Sequence, residues 1–262
     1  MNKKGFFYTL GLMFFALALL TLSVLFVNHS VTLESRQSEL NFAQKIYDQD
    51  TSTQKALSDT FLRKSNLILA LSNDTFTVQE TLPVDFSELD SSLSTLESAL
   101  ENSFPIDVGL SLFLSSHDLI LQNSNVSYLH NSPTTISIPA NSAVSNYNLT
   151  LIFSSAVTSC DINAPSGQIG FYFDAQPSNV SCSLAQGVSE AEIGLIVNGQ
   201  EININLDSSK ALTFESDAGV TSTITLMLNE SIGRVELPIT IAFNDSGLNF
   251  NKVSKVRVFL SS

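Results

Sequence analysis

The chain has 262 residues, enough for one large domain or two small ones, and 44% of them are hydrophobic, so a sizeable core can be buried. Only 14% are charged, and 12 Lys and Arg stand against 25 Asp and Glu, giving a net charge of −13. That balance excludes nucleic acid as a partner, because displacing counterions from phosphates needs a basic surface, and it disfavours docking of the main domain on anionic lipid.

Residues 6–27 read FFYTLGLMFFALALLTLSVLFV, an uncharged run of 22 residues. As a helix it is about 33 Å long, enough for a hydrocarbon core of roughly 30 Å, and it has no polar face to suit a soluble protein. A cleaved secretory signal has a shorter apolar region, roughly 7–15 residues, ending at small residues. Ala16 and Ala18 offer such a site, but cutting there leaves the apolar residues 19–27 on the mature chain. The run therefore reads as an uncleaved anchor in contact with membrane lipid. Lys3 and Lys4 precede it and residues 28–34 carry no Lys or Arg, so the positive-inside rule makes residues 1–5 a cytoplasmic tail and places residues 28–262 outside.

Lys3-Lys4-Gly5 followed by Phe6-Phe7-Tyr8-Thr9-Leu10 resembles the start of type IV pilin-like proteins of bacteria and archaea. The resemblance implies cutting by a dedicated membrane peptidase between Gly5 and Phe6, with Lys4 as the basic residue before the site. It also implies that the mature helix packs in a filament core or stays in the membrane, with filament or homo-oligomer partners. Leu10 stands where major bacterial pilins carry a Glu, a departure shared with some minor and many archaeal members. The likeness covers only the first 27 residues.

Residues 28–103 read as a helical stalk or hairpin. Leu33, Leu40, Ala43 and Tyr47 lie sparsely on one face, and Leu57, Phe61, Ile68 and Leu71 resume a stripe at helical spacing before a stop at Asn73-Asp74-Thr75. A third helix follows Pro83, with Asp85 as its N-cap, Glu88 as capping-box partner, and Phe86, Leu89, Leu93, Leu96 and Leu100 as its apolar face. Asn102 and Pro105 end it.

From residue 104 to 262 the period changes to two. Apolar residues alternate with polar ones through residues 147–153, 202–206, 223–228, 235–241 and 256–260. Asn198-Gly199 between two such runs is the signature of a type I′ hairpin, and Pro238 marks an edge strand or a bulge. About ten short strands with no helix between them predict an antiparallel β-sandwich, so the fold class is α+β. Cys160 and Cys182, on the exported side, are a candidate disulfide, with two buried free thiols as the alternative; closing that loop would stabilise by about 3 kcal/mol.

No metalloprotease, nucleophile-elbow, phosphate-loop or dinucleotide motif is present, and the reading is of a non-enzyme with no cofactor and no metal site. His29 lies at the membrane boundary, while His117 and His130 read as surface or turn residues. Asp161 and Asp174 are acids that could meet in space for glycoside hydrolysis. Asp207-Ser208-Ser209 and Asp245-Ser246-Gly247 are turn chemistry. Sequons stand at Asn28, Asn73, Asn125, Asn148, Asn179, Asn229 and Asn244, of which all but Asn28 are candidate glycosylation sites. The expected function is a single-pass, membrane-anchored structural or interaction protein, pilin-like in one version. The alternative is a surface module that binds a carbohydrate or a protein.

Overall fold

The computed structural model describes residues 3–72, 74–85, 87–103, 108–114, 118–231, 234–245 and 250–258. They fall into two compact units, Met1–Ser52 and Thr53–Ser262. Helix α1 (Lys3–Lys64) supplies all the described structure of the first and the opening of the second. No Gly or Pro occurs between residues 12 and 64, so nothing in the sequence interrupts its hydrogen-bond ladder. Within it Gly11–Glu34 has a mean hydropathy of 2.2 and buries none of its side chains, which makes it long and apolar enough to cross a membrane. Thr21 does not leave a free hydroxyl there, because its Oγ1 donates to Ala18 O at 2.9 Å and Leu17 O at 3.1 Å. Arg63 and Lys64 sit in the last turn, where they complement the helix dipole. Asn66, at φ 53°, then turns the chain out through the left-handed region.

In the second unit α1 contributes Leu57 and Phe61, both fully buried in the core. Two strands follow, β1 (Ile68–Leu71) and β2 (Thr75–Leu82), which pair as a hairpin. This corrects the helical reading of residues 28–103: Ile68 and Leu71 belong to a strand, and Asp74-Thr75 belongs to the turn and start of the next. The apolar spacing of 3–4 continued by coincidence past the true helix end. Helix α2 (Ser87–Ser103) does follow Pro83. Asp85 Oδ1 accepts from Ser87 N at 2.9 Å, while Glu88, read as its reciprocal partner, instead receives Lys64 Nζ. Leu89 and Leu93 are its buried face.

Thirteen more strands follow: β3 (Val108–Leu114), β4 (Leu119–Gln122), β5 (Val126–Ser132), β6 (Thr135–Ile138), β7 (Val144–Asn163), β8 (Ser166–Ser178), β9 (Ser183–Val188), β10 (Ala191–Val197), β11 (Gln200–Leu206), β12 (Leu212–Ser216), β13 (Val220–Leu228), β14 (Arg234–Asp245) and β15 (Phe250–Val258). The described strands number fifteen rather than ten, and three run to 12, 13 and 20 residues. They hydrogen-bond in the order β1-β2-β13-β7-β10-β11-β12-β6-β5-β4-β14-β15, with β3 on β14, β8 on β7 and β9 on β8. All described pairings are antiparallel except β7 with β8. The unit is an α+β fold built on one large antiparallel sheet, sandwich-like in form, as expected.

Alternation sets which face is buried. On β13 Val220, Ser222, Ile224, Leu226 and Leu228 point inward and Thr221, Thr223 and Thr225 outward, and β7 repeats this with Tyr147, Leu149, Leu151 and Phe153. Asn198 and Gly199, at φ 52° and 77°, make the two-residue turn between β10 and β11, with Val197 opposite Gln200. Pro238 lies at a register shift between Glu236 and Thr240. It is the bulge of the two expectations and not the edge, because β14 has partners on both sides.

Cys160 on β7 and Cys182 just before β9 are joined as a disulfide with Cα atoms 5.7 Å apart. With a sequence separation of 22 residues, the bridge removes chain entropy from the unfolded state worth about 3 kcal/mol. Reduction of the detergent-solubilised chain is therefore expected to lower its unfolding free energy by about that amount. Urea denaturation followed by circular dichroism, with and without reductant, measures it.

Candidate functional site

The most demanding polar group in the second unit is Glu80. It sits on β2 between Val78 and Leu82 in the inward-facing series, opposite Ser222 of β13, and its side chain is 1% exposed. Burying a carboxyl is costly unless its oxygens are bonded. Oε1 accepts the hydroxyl of Tyr128, and Oε2 lies 2.9 Å from His130 Nε2. Both partners come from β5, and their rings meet edge to face with centroids 5.4 Å apart. The backbone N–H of His130 is fixed in turn by Asp118 Oδ1 at 3.1 Å. His130 is thus a buried partner of a carboxyl, with its side chain 1% exposed, and not the surface residue its sequence position suggested. His29 is exposed on α1, and His117 lies outside the described residues.

Burial, and after it the neighbouring Glu80, holds the Tyr128 hydroxyl well above the usual tyrosine range. Tyr147 is shifted in the same direction by burial and then by Asp207, and its hydroxyl donates to Lys210 O at 2.5 Å. Asp207 closes the β11–β12 turn as expected: its Oδ1 accepts from Ser209 N at 2.8 Å, from Ala211 N at 3.1 Å and from Ser209 Oγ. The Ser209 hydroxyl first, then the Ala211 amide, keep its carboxyl below the usual range. Of the second turn only Asp245 is described.

A second buried acid, Glu236 on β14, receives Lys255 Nζ and Gln122 Nε2, with Arg257 Nε 3.9 Å away. It borders two clefts. The smaller, of about 90 Å³, also presents Asp118, Ile120, Pro238 and Lys255. The larger, of about 440 Å³, presents Gln122, Asn123 and Asn125. Two carboxylates therefore do meet in one cleft, but they are Asp118 and Glu236. The small cleft falls well below the roughly 300 Å³ that a small-molecule site needs, and both acids are held by structural bonds. Asp161 and Asp174 line neither of these clefts. Asp161 is exposed on β7 opposite Gly194, and Asp174 on β8 receives Gln176 Nε2 at 2.6 Å.

A third hollow, of about 370 Å³, lies on the outer face of β11 and β12, between Asn203, Asn205, Asp207, Thr213 and Glu215. The register puts Asn203 beside Glu215 and Asn205 beside Thr213, so its floor is a ladder of hydrogen-bonding side chains. Beside it Gly194, opposite Asn203, leaves open space where a side chain would stand. No group of three metal-ligating side chains occurs among the described residues.

The candidate sequons separate by location. Asn179 and Asn229 lie exposed outside strands, Asn125 is exposed in the turn before β5, Asn148 is half-buried within β7, Asn244 is in β14, and Asn73 lies outside the described residues. Sequence reasoning missed Glu80 and Tyr128 altogether. The one available signal was an acid at the third inward position of an otherwise alternating run, Phe76, Val78, Glu80, Leu82. No protein-family model, curated protein or solved structure matches the chain.

The two buried tyrosines predict an alkaline limit. Their folded-state values lie above the unfolded value of about 10, so their contribution to stability is complete below pH about 10 and is lost as pH rises toward the folded values. Phenolate absorbance from Tyr128 and Tyr147 should appear only together with unfolding in a spectrophotometric titration. Tyr128→Phe removes the donor to Glu80 and should lower stability by about 1–3 kcal/mol in urea melts.

Proposed function

We propose that this chain is a single-pass membrane protein whose large β unit stands outside the cytoplasm and serves a structural or interaction role, with the pilin-like subunit as its sharper form. The observation that carries this is α1. One uninterrupted helix holds both a lipid-length apolar stretch, Gly11–Glu34, and the buried Leu57 and Phe61 of the second unit's core. Membrane lipid is its first partner, and further copies of the chain are the partners that the pilin-like form requires. Lys3 and Lys4 ahead of the apolar stretch favour a cytoplasmic N-terminus, and the Cys160–Cys182 bridge favours an oxidising compartment for the β unit. Supporting a non-catalytic role, the carboxyl of Glu80 is spent on bonds that close the fold, and that of Glu236 is occupied by Lys255 and Gln122 on the neighbouring strands.

The hollow on β11 and β12 favours a second reading, in which the β unit binds a polar ligand such as a carbohydrate. Asn203, Asn205 and Thr213 can bond hydroxyl groups, although no aromatic side chain lines the hollow to stack on a sugar ring.

Two measurements test the first reading. Alkaline carbonate washing should leave the chain in the membrane pellet, and protease added to intact cells should digest the chain beyond the apolar stretch Gly11–Glu34. Lys3→Glu with Lys4→Glu should reduce the digestible fraction severalfold, since the charge bias that sets orientation is gone. A chain released by carbonate, or one protected from external protease, contradicts the reading.

A further inference from the structure

We propose that Asn179 and Asn229 carry N-linked glycans, while the sequons at Asn28, Asn125, Asn148 and Asn244 stay bare. The proposal rests on the extracytoplasmic placement given above. Glycan transfer needs the whole Asn-x-Ser/Thr tripeptide presented to an enzyme, with the Asn amide and the hydroxyl two residues on both reachable. In the folded chain two described sequons meet that condition.

Residues 179–181 lie between β8 and β9, outside any strand, and all three are exposed. Their backbone is lightly held: Asn179 N donates to Val157 O at 3.1 Å, and Val180 N reaches only the Ser178 hydroxyl at 3.3 Å. Residues 229–231 follow β13, again with all three exposed. Asn229 Nδ2 makes a long bond of 3.3 Å to Ser142 O, which a bound glycan can replace at little cost.

The other sequons fail for separate reasons. Asn28 lies inside Gly11–Glu34 of α1, in the lipid-length stretch. Asn125 is exposed, but the next residue, Val126, is fully buried and Ser127 is paired with Ile120 in the β4–β5 ladder. Asn148 is half-buried between Tyr172 of β8 and Thr225 of β13, with strands on both sides. Asn244 is likewise flanked, by Gly109 and Asn251.

The donor would be a lipid-linked oligosaccharide. Nδ2 of the Asn forms a bond to the anomeric carbon, the carbon–oxygen bond to the lipid phosphate breaks, the amide gives up one proton, and the lipid phosphate leaves.

Glycopeptide mass spectrometry on the chain purified from its native membranes tests this. Peptides holding Asn179 and Asn229 should each carry a sugar mass. Asn179→Gln and Ser181→Ala should each remove one increment, and Asn229→Gln and Ser231→Ala should each remove the other. The serine variants keep the Asn side chain, so a fold effect is separated from loss of the acceptor. A bare Asn179 or Asn229 in a β unit that external protease digests overturns the proposal alone, as does a glycan on Asn125 or Asn148. A β unit protected from external protease overturns the reading beneath it as well.

Discussion

A sheet of this width could lie open, and the bonds of Glu80 show why it does not. In the strand order β2 and β5 are seven steps apart, about 34 Å if the sheet were flat. Yet the Glu80 carboxyl on β2 bonds to Tyr128 and lies within hydrogen-bond reach of His130, both on β5. The sheet must therefore fold back so that its two halves face each other across a core. A second bond between the same ends, Val84 N to Pro133 O at 2.8 Å, fixes the same closure just beyond β2. Apolar packing drives the layers together and rejects a slip by one residue, which would turn the apolar face outward, but it discriminates weakly against a slip by two. A carboxyl that must find its donors on the opposite layer also rejects a slip by two residues, which keeps it on the inner face but carries it away from those donors.

The same principle explains where acids are tolerated in the second unit. Glu236 is buried because Lys255 and Gln122 reach it, and it stands at the bulge of Pro238, where the ladder is already disrupted. Asp207 and Asp85 sit at turns and receive nearby amides. Further negative charge lies on exposed strand faces, at Glu192, Glu201 and Glu215, where it favours solubility.

How much of this was legible follows from how local each signal was. The apolar stretch of α1, the Asn198-Gly199 turn and the alternation in β7, β11, β13 and β14 are properties of consecutive residues, and the structure follows them. The β1–β2 hairpin was hidden because Leu57, Phe61, Ile68 and Leu71 keep helical spacing across a helix end that Asn66 creates by adopting a left-handed conformation. Glu80 masked β2 further, since an acid at an inward position breaks the apolar alternation that marks a strand. Its partners lie 48 and 50 residues away, so no window of sequence could pair them. The disulfide was readable because the chain has two cysteines and they can pair in one way. The dicarboxylate cleft was not, because Asp118 and Glu236 are joined only through the β4–β14 register.

The central claim is that the apolar stretch of α1 stays with the β unit as its anchor. The exact mass of the mature N-terminal peptide, taken from chain extracted from membranes, tests it most directly. The account predicts an N-terminus that keeps residues 11–34, at Phe6 if the pilin-like form holds. An N-terminus at Leu19 or beyond, with the apolar stretch removed, would contradict it.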